Sequence, residues 1–216
     1  MSDTSKTRIL LVDNYDSFTF NLLHMMQVIP GVELTVARND ADFLPDLDAG
    51  AYDGVVISPG PGSADDLAYF GRNMDVISTY GLQGLPVLGV CLGFQGIFSQ
   101  FGGKLKQAAL PVHGKVSQID IRVADPILDG VPDRSNVMRY HSIIADTEAG
   151  IPDCLEATAW TIPQQEFSAN GPELMALRHR DLPIYGVQFH PESFATTFGK
   201  RMISNFCAIA TEHRKS

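Results

Sequence analysis

Residues 89–93 (Gly-Val-Cys-Leu-Gly) place a nucleophilic side chain between two glycines. The apolar residues 85–88 before them predict a buried strand, and residues 94–98 after them predict the start of a helix. A strand-turn-helix of this kind, a nucleophile elbow, projects its central side chain over the edge of a sheet. The helix amides add partial positive charge there. We therefore expect Cys91 to be a nucleophile with a raised thiolate fraction near neutral pH, the alternative being a buried structural cysteine.

A nucleophilic thiol needs a general base, and the base needs a group that orients it. His190 and Glu192 follow the predicted strand 184–189, and Pro191 between them favours an extended backbone. Residues two apart in an extended segment point to the same side. This spacing lets Glu192 hold one ring nitrogen of His190 while the other faces Cys91. By itself, the segment favours a surface turn, and only its combination with the elbow favours a catalytic pair.

Acyl chemistry also requires donors for a developing oxyanion. The amide of Leu92, at the start of the predicted helix, is one candidate. Gly60 and Gly62 follow the predicted strand 55–57, and glycine lets a backbone amide approach a substrate closely. Gln95 lies one helical turn after Cys91, where it could bind the polar end of a substrate or cap the helix.

Composition limits the classes of function. The 216 residues fit one α/β domain, and the net charge of −9 argues against a nucleic-acid partner. The three cysteines are widely spaced, so we expect neither a disulfide framework nor a metal site. No run approaches the roughly 20 apolar residues that span a bilayer, and the first residues lack a signal sequence. The sequence therefore predicts a cytoplasmic protein without a membrane segment.

The order of the predicted elements indicates an α/β fold. Strands and helices alternate in the first half, which favours an open, mostly parallel twisted sheet with helices on both faces, as in flavodoxin-like proteins. Nearly alternating segments at 116–123, 137–142 and 174–178 predict antiparallel additions. Helices are predicted at 18–26, 41–48, 66–80 and 197–211. We expect residues 1–7 to be a disordered tail and residues 8–212 to form a single domain.

Taken together, these motifs resemble the class I (triad-type) glutamine amidotransferases. The likeness is greatest to the small subunits of anthranilate synthase and of aminodeoxychorismate synthase. It runs nearly from end to end, and its landmarks are residues 13–19, 58–62, 89–95, 113–115, 139–142, 188–193 and 205–206.

The resemblance implies a mechanism and a partner. Cys91 would attack the side-chain amide of glutamine, with His190 and Glu192 completing the triad. Gln95 and the backbone of Ser142 and Ile143 would hold the α-amino and carboxylate groups of glutamine. The ammonia would pass to a chorismate-using synthase subunit that contacts residues 13–17 and 113–115. By the same resemblance, the chain needs no cofactor, and any Mg²⁺ requirement belongs to the synthase.

The chain departs from this family pattern at two places. Phe94 stands where these small subunits usually have histidine, and the segment after Gly62 lacks their usual proline near Ala64. We expect triad chemistry to survive, while partner coupling and the loop beside the site could differ. A secondary-metabolism paralogue, a stand-alone γ-glutamyl hydrolase and a silent regulatory subunit remain alternatives.

Overall fold

A single mixed sheet forms the centre of the protein. The computed structural model describes residues 6–163 and 169–215, and within them nine strands lie in the order β2-β1-β3-β4-β9-β8-β7-β5-β6. The strands are β1 Thr7–Asp13, β2 Val32–Arg38, β3 Gly54–Ile57, β4 Val87–Val90, β5 Leu105–Ile121, β6 Asn136–Ala145, β7 Leu155–Thr161, β8 Leu174–His179 and β9 Ile184–Val187. The first five in this order are parallel and the remaining pairings are antiparallel. The predicted fold class is confirmed.

Helices cover both faces of the parallel part. They are α1 Thr19–Gln27, α2 Leu44–Asp48, α3 Leu67–Phe70, α4 Asn73–Asp75, α5 Leu92–Gln100 and α6 Gly199–Lys215. In β1, Ile9 and Leu11 pack with α1 and α6, whereas Leu10 and Val12 pack with α2 and α5. This alternation gives two apolar cores, one on each face, because successive side chains of a strand point to opposite sides. None of the described helices is long and apolar enough to cross a membrane.

The edge strand β6 folds back over the carboxyl ends of the parallel strands. β5 pairs with β6 along most of its length and with β7 only near its end, at Ile119–Ile121. Its register with β6 shifts twice, between Gln107 and Val112 and again between His113 and Lys115. Irregularities of this kind bend a strand and increase its twist. Met138 of β6 thereby forms an antiparallel bridge with His190, just beyond β9.

The structure differs from the sequence-based prediction at several elements. The helix predicted at 66–80 is divided into α3, α4 and a π-helical turn Val76–Gly81, because Gly71 interrupts it with φ of 54°. Strand β7 was missed. Strand β1 begins at Thr7, within the range predicted as a tail, and residues 1–5 of that range lie outside the described residues. Helix α6 continues to Lys215, beyond the predicted end of the domain at 212.

Phe94, one of the two departures from the family pattern, lies in the interior. Its side chain is fully buried in the apolar core between the sheet and α5, and it packs against Gly186 of β9. Phe94 is therefore absent from the surface that a partner could touch. Its contribution is to the packing of α5 on the sheet.

Replacing Phe94 should therefore cost stability. We expect Phe94→Ala to lower the free energy of unfolding by about 3–5 kcal/mol, because it removes a large ring from a closed apolar core. Phe194→Ala is the matched control, since the Phe194 side chain is 99% exposed. Urea denaturation of both variants measures the difference, and equal stability of the two would contradict this packing.

Candidate active site

Cys91 occupies a strained turn between β4 and α5. Its backbone has φ of 52° and ψ of −97°, a left-handed conformation that is unfavourable for a residue with a side chain. Two hydrogen bonds hold it, from Cys91 N–H to Val187 O at 2.9 Å and from Gln95 N–H to Cys91 O at 3.0 Å. Gly93 permits the turn because a Cβ there would lie 2.7 Å from the carbonyl oxygen of Ile57. The elbow is thus built by close packing of α5 on the sheet.

His190 and Glu192 form a buried pair beside this turn. The ring Nδ1 of His190 lies 2.6 Å from Glu192 Oε1, and the backbone N–H of His190 donates to Met138 O at 2.9 Å. Burial opposes protonation of the imidazole, but its interactions with Cys91 and Glu192 outweigh burial and raise the pKa of His190 well above its ordinary value. The geometry therefore favours an imidazolium next to the thiol.

Backbone carbonyls of β6 reach three parts of the site. Met138 O accepts the hydrogen bond from His190, Tyr140 O lies 3.9 Å from Cys91 Sγ, and Ile143 O accepts from Gln95 Nε2 at 2.9 Å. One strand thereby contacts the nucleophile, the base and the predicted substrate-binding side chain.

The loop containing Gly60 is held by a buried cluster of polar side chains. Asn14 N–H donates to Ser58 Oγ at 2.9 Å, and Asn14 Nδ2 donates to Ser58 O at 2.8 Å. The side-chain amides of Asn39 and Asn73 both donate to Asn14 Oδ1. A Cβ at Gly60 would lie 2.5 Å from Asn14 Cβ, so the close approach requires glycine. The ends of β1, β2 and β3 thus share one hydrogen-bonded hub beneath this loop.

Two cavities meet at His190. The first, of about 540 Å³, contains Cys91 together with Gly60, Pro61 and residues of the loop 15–18. The second, of about 200 Å³, has an almost entirely apolar lining that includes Met138 and Phe194. Phe18, Tyr140 and His190 line both, with the ring centroids of Phe18 and His190 5.7 Å apart. A substrate bound at Cys91 would therefore be separated from the apolar cavity by three rings.

The structure brings most of the predicted site residues together. Cys91, Leu92 and Gln95 lie on the elbow, His190 and Glu192 stand beside it, and Ser142 and Ile143 lie on β6 next to Gln95. Gly60 lines the first cavity, whereas Gly62 packs under the ring of Tyr69. Among the described residues, no group of three or more His, Cys, Asp or Glu side chains could hold a metal ion.

Sequence reasoning missed Gln188 and the rings of Phe18 and Tyr140. Gln188 is fully buried, donates to Cys91 Sγ at 3.6 Å and accepts from Gln95 Nε2 at 3.3 Å. A polar residue at the end of the apolar strand 184–189 was the available signal for Gln188. Phe18 and Tyr140 lie within the landmarks 13–19 and 139–142 of the resemblance, but nothing in the sequence shows that their rings meet, because the loop 15–18 and β6 come together only in the folded chain.

Comparison with known proteins shows the family to which the chain belongs. Residues 10–210 match the family described as glutamine amidotransferase class-I. The chain is 41% identical to anthranilate synthase component 2 of Leptospira biflexa, over 92% of this chain and 98% of that protein. It is also 41% identical to aminodeoxychorismate/anthranilate synthase component 2 of Bacillus subtilis (strain 168), over 92% and 94% of the two chains.

A solved structure also shares the fold. It is that of a protein from Thermoplasma acidophilum that has been proposed to belong to GMP synthase. The two chains superpose with a TM-score of 0.81 at 25% identity, and the match covers 97% of this chain and 96% of the other.

The imidazolium beside Cys91 should accelerate alkylation of the thiol. We expect His190→Ala to slow the reaction of Cys91 with iodoacetamide at pH 7 by about tenfold, because the imidazolium that activates the neighbouring sulfur as a nucleophile is lost. His24→Ala, which removes an exposed histidine on α1, is the control. Peptide mass spectrometry measures the rate of alkylation at Cys91. An unchanged rate in His190→Ala would contradict the interaction of His190 with Cys91.

Proposed function

Because this chain belongs to the class-I glutamine amidotransferase family, we propose that it is the glutaminase subunit of anthranilate synthase. In this role it hydrolyses glutamine to glutamate and delivers ammonia to a chorismate-using synthase subunit. The observation that carries the proposal is the convergence of Cys91, the buried His190–Glu192 pair and the Gly60 loop at one cavity. Cys91 supplies the nucleophile, the His190–Glu192 pair moves the proton, and the Gly60 loop stabilises the oxyanion.

The first half of the reaction forms a thioester. Cys91 Sγ attacks the side-chain carbonyl carbon of glutamine, and the amide of Leu92 with that of the Gly60 loop stabilises the oxyanion. His190, as imidazolium, gives a proton to the departing nitrogen, which leaves as ammonia. Glu192 keeps the ring oriented and stabilises its charge, as its 2.6 Å contact with Nδ1 supports.

The second half regenerates the thiol. His190, now neutral, takes a proton from water, and the resulting hydroxide attacks the γ-glutamyl thioester. The sulfur leaves as the thiolate and glutamate is released. In this proposal Gln95 and the backbone of Ser142 and Ile143 hold the α-amino and carboxylate groups of the substrate. Side chains and amides of this chain suffice for both steps, and any Mg²⁺ requirement belongs to the synthase.

The partner would dock on the aromatic surface around the two cavities. The rings there are unusually exposed: Tyr15 by 55%, Tyr140 by 48% and Phe194 by 99%. His113 stacks on Tyr140 with centroids 5.2 Å apart, and Gly114 lines the apolar cavity, so residues 113–115 adjoin this surface. We place the exit for ammonia at the apolar cavity beside His190, on the side away from Cys91, where a docked partner would exclude water.

A second candidate is the same role in aminodeoxychorismate synthase. This candidate is supported by the Bacillus subtilis relative, because the name of that relative includes both synthases. Both candidates use the same glutaminase reaction and differ only in the product of the partner. In either case we place the chain in the cytosol, where the free thiols of Cys91, Cys154 and Cys207 would stay reduced.

Removing the nucleophile should separate the two activities of the complex. With the synthase partner from the native host bound, Cys91→Ser should abolish glutamine-dependent product formation while added ammonium salt still supports it. Cys154→Ser, a half-buried cysteine outside the site, is the matched control and should retain both activities. The proposal fails if Cys91→Ser also abolishes ammonia-dependent synthesis, or if the native chain hydrolyses glutamine at full rate without any partner.

The docking surface has its own test. Phe194→Ala should weaken partner binding by about tenfold, since exposed aromatic anchors often dominate interfaces. It should leave iodoacetamide alkylation of Cys91 unchanged. Leu82→Ala, an exposed apolar residue before β4, should bind the partner like the native chain. Calorimetric titration measures both affinities, and equal affinity of the two variants would refute this surface.

A further inference from the structure

A buried ion cluster lies behind the strand that contacts the site. Arg139 and His141 of β6 are 1% and 4% exposed, and Glu173, just before β8, is 3% exposed. Glu173 Oε1 accepts a hydrogen bond from the Arg139 guanidinium, and Glu173 Oε2 lies 3.1 Å from His141 Nε2. The proposed reaction uses none of these three side chains, and burying charged groups is costly unless they are paired.

The cluster carries a fixed arrangement of charge. Burial acts to raise the pKa of Glu173, but the hydrogen bond from His141 and the charge of Arg139 lower it to about 2. Burial lowers the pKa of His141. Glu173 is thus a carboxylate that holds the Arg139 cation with one oxygen and accepts the Nε2–H of neutral His141 with the other. Arg139 and His141 are two residues apart on β6, so their side chains lie on the same face of the strand. A single carboxylate therefore binds both of them.

Arg139 and His141 flank Tyr140, whose carbonyl approaches Cys91, and His141 directly precedes Ser142 and Ile143. We propose that Glu173 is a positioning residue that, through Arg139 and His141, fixes the part of β6 that receives the amino-acid end of the substrate. This inference rests on the proposed function, because Ser142 and Ile143 matter only if glutamine binds there. Ile143 O, the acceptor of the 2.9 Å bond from Gln95, is the contact most directly affected.

The same cluster is connected to the surface. Asn170 Nδ2 donates to Glu173 Oε1 at 3.1 Å and to Leu110 O at 2.9 Å, while Leu110 N–H donates to Asn170 Oδ1 at 2.7 Å. Leu110 is 41% exposed and lies in the segment of β5 that bulges away from β6. Asn170 therefore connects the bulge of β5 to Glu173, the carboxylate that binds Arg139 and His141 of β6.

The test compares two reagents for Cys91. The diazoketone analogue of glutamine must bind through its amino-acid end before it alkylates the thiol, whereas iodoacetamide needs only the thiol. In the full-length chain, Glu173→Gln should lower the second-order rate with the analogue by about tenfold and change the iodoacetamide rate by less than about twofold. Glu156→Gln is the matched control, because Glu156 also pairs with two cations, Arg178 and Arg180, but away from the site.

A role confined to stability gives a different pattern. Glu173→Gln and Glu156→Gln would then lower the midpoint of thermal unfolding while the two reagents kept their native ratio of rates, and this result would overturn the inference. If Glu173→Gln fails to fold, Asn170→Ala takes its place, with an expected loss of about threefold for the analogue alone. An unchanged ratio in Asn170→Ala would equally overturn it. Native protein that reacts with iodoacetamide but never with the analogue contradicts the proposed function instead.

Discussion

The left-handed turn at Cys91 is the constraint on which the site depends. A residue with a side chain adopts this conformation only when its surroundings hold it there. Here the hydrogen bond to Val187 O fixes the amino side of the turn, and the packing of Gly93 against Ile57 brings α5 close to the sheet. The thiol consequently stands at the carboxyl end of β4, where the loops after the neighbouring parallel strands also converge. The strain is local, whereas the packing of α5 that maintains it belongs to the apolar core on one face of the sheet.

The second requirement is the return of an antiparallel edge strand to the parallel end of the sheet. β6 supplies backbone carbonyls to His190, Cys91 and Gln95, although it lies at the far edge of the strand order. The bulges of β5 bend the edge of the sheet far enough to make this possible. The antiparallel additions are thus part of the site itself. Without them, Cys91, His190 and Gln95 would lack their contacts with the carbonyls of β6.

The sequence predicted the parts of the site that are local in the chain. The elbow follows from five consecutive residues. The pairing of His190 with Glu192 was expected from an extended segment, but residues 191–192 form a turn instead, closed by a 3.3 Å hydrogen bond from Ser193 N–H to His190 O. The two side chains therefore meet across a turn, and the predicted extended backbone was wrong. The family resemblance implied that Ser142 and Ile143 lie near Gln95, but the contacts of β6 with Cys91 and His190 could not be predicted, because its register depends on two bulges that leave no hydrophobic pattern. The prediction of one continuous helix at 66–80 was wrong for a related reason. Its apolar spacing is regular, but Gly71 packs against the backbone of Asn39 with positive φ, and this tertiary contact interrupts the helix. β7 was missed because the alternation in Leu155–Thr161 is carried largely by two alanines, and alanine has a low preference for strands.

The most direct test of the account is to trap the covalent intermediate. The complex of this chain with its synthase partner would be mixed with glutamine, quenched in acid within the first turnovers and digested for mass spectrometry. The account predicts a γ-glutamyl adduct on the peptide that contains Cys91. Glutamine hydrolysis without any adduct, or an adduct on the peptide of Cys154 or Cys207, would contradict Cys91 as the nucleophile.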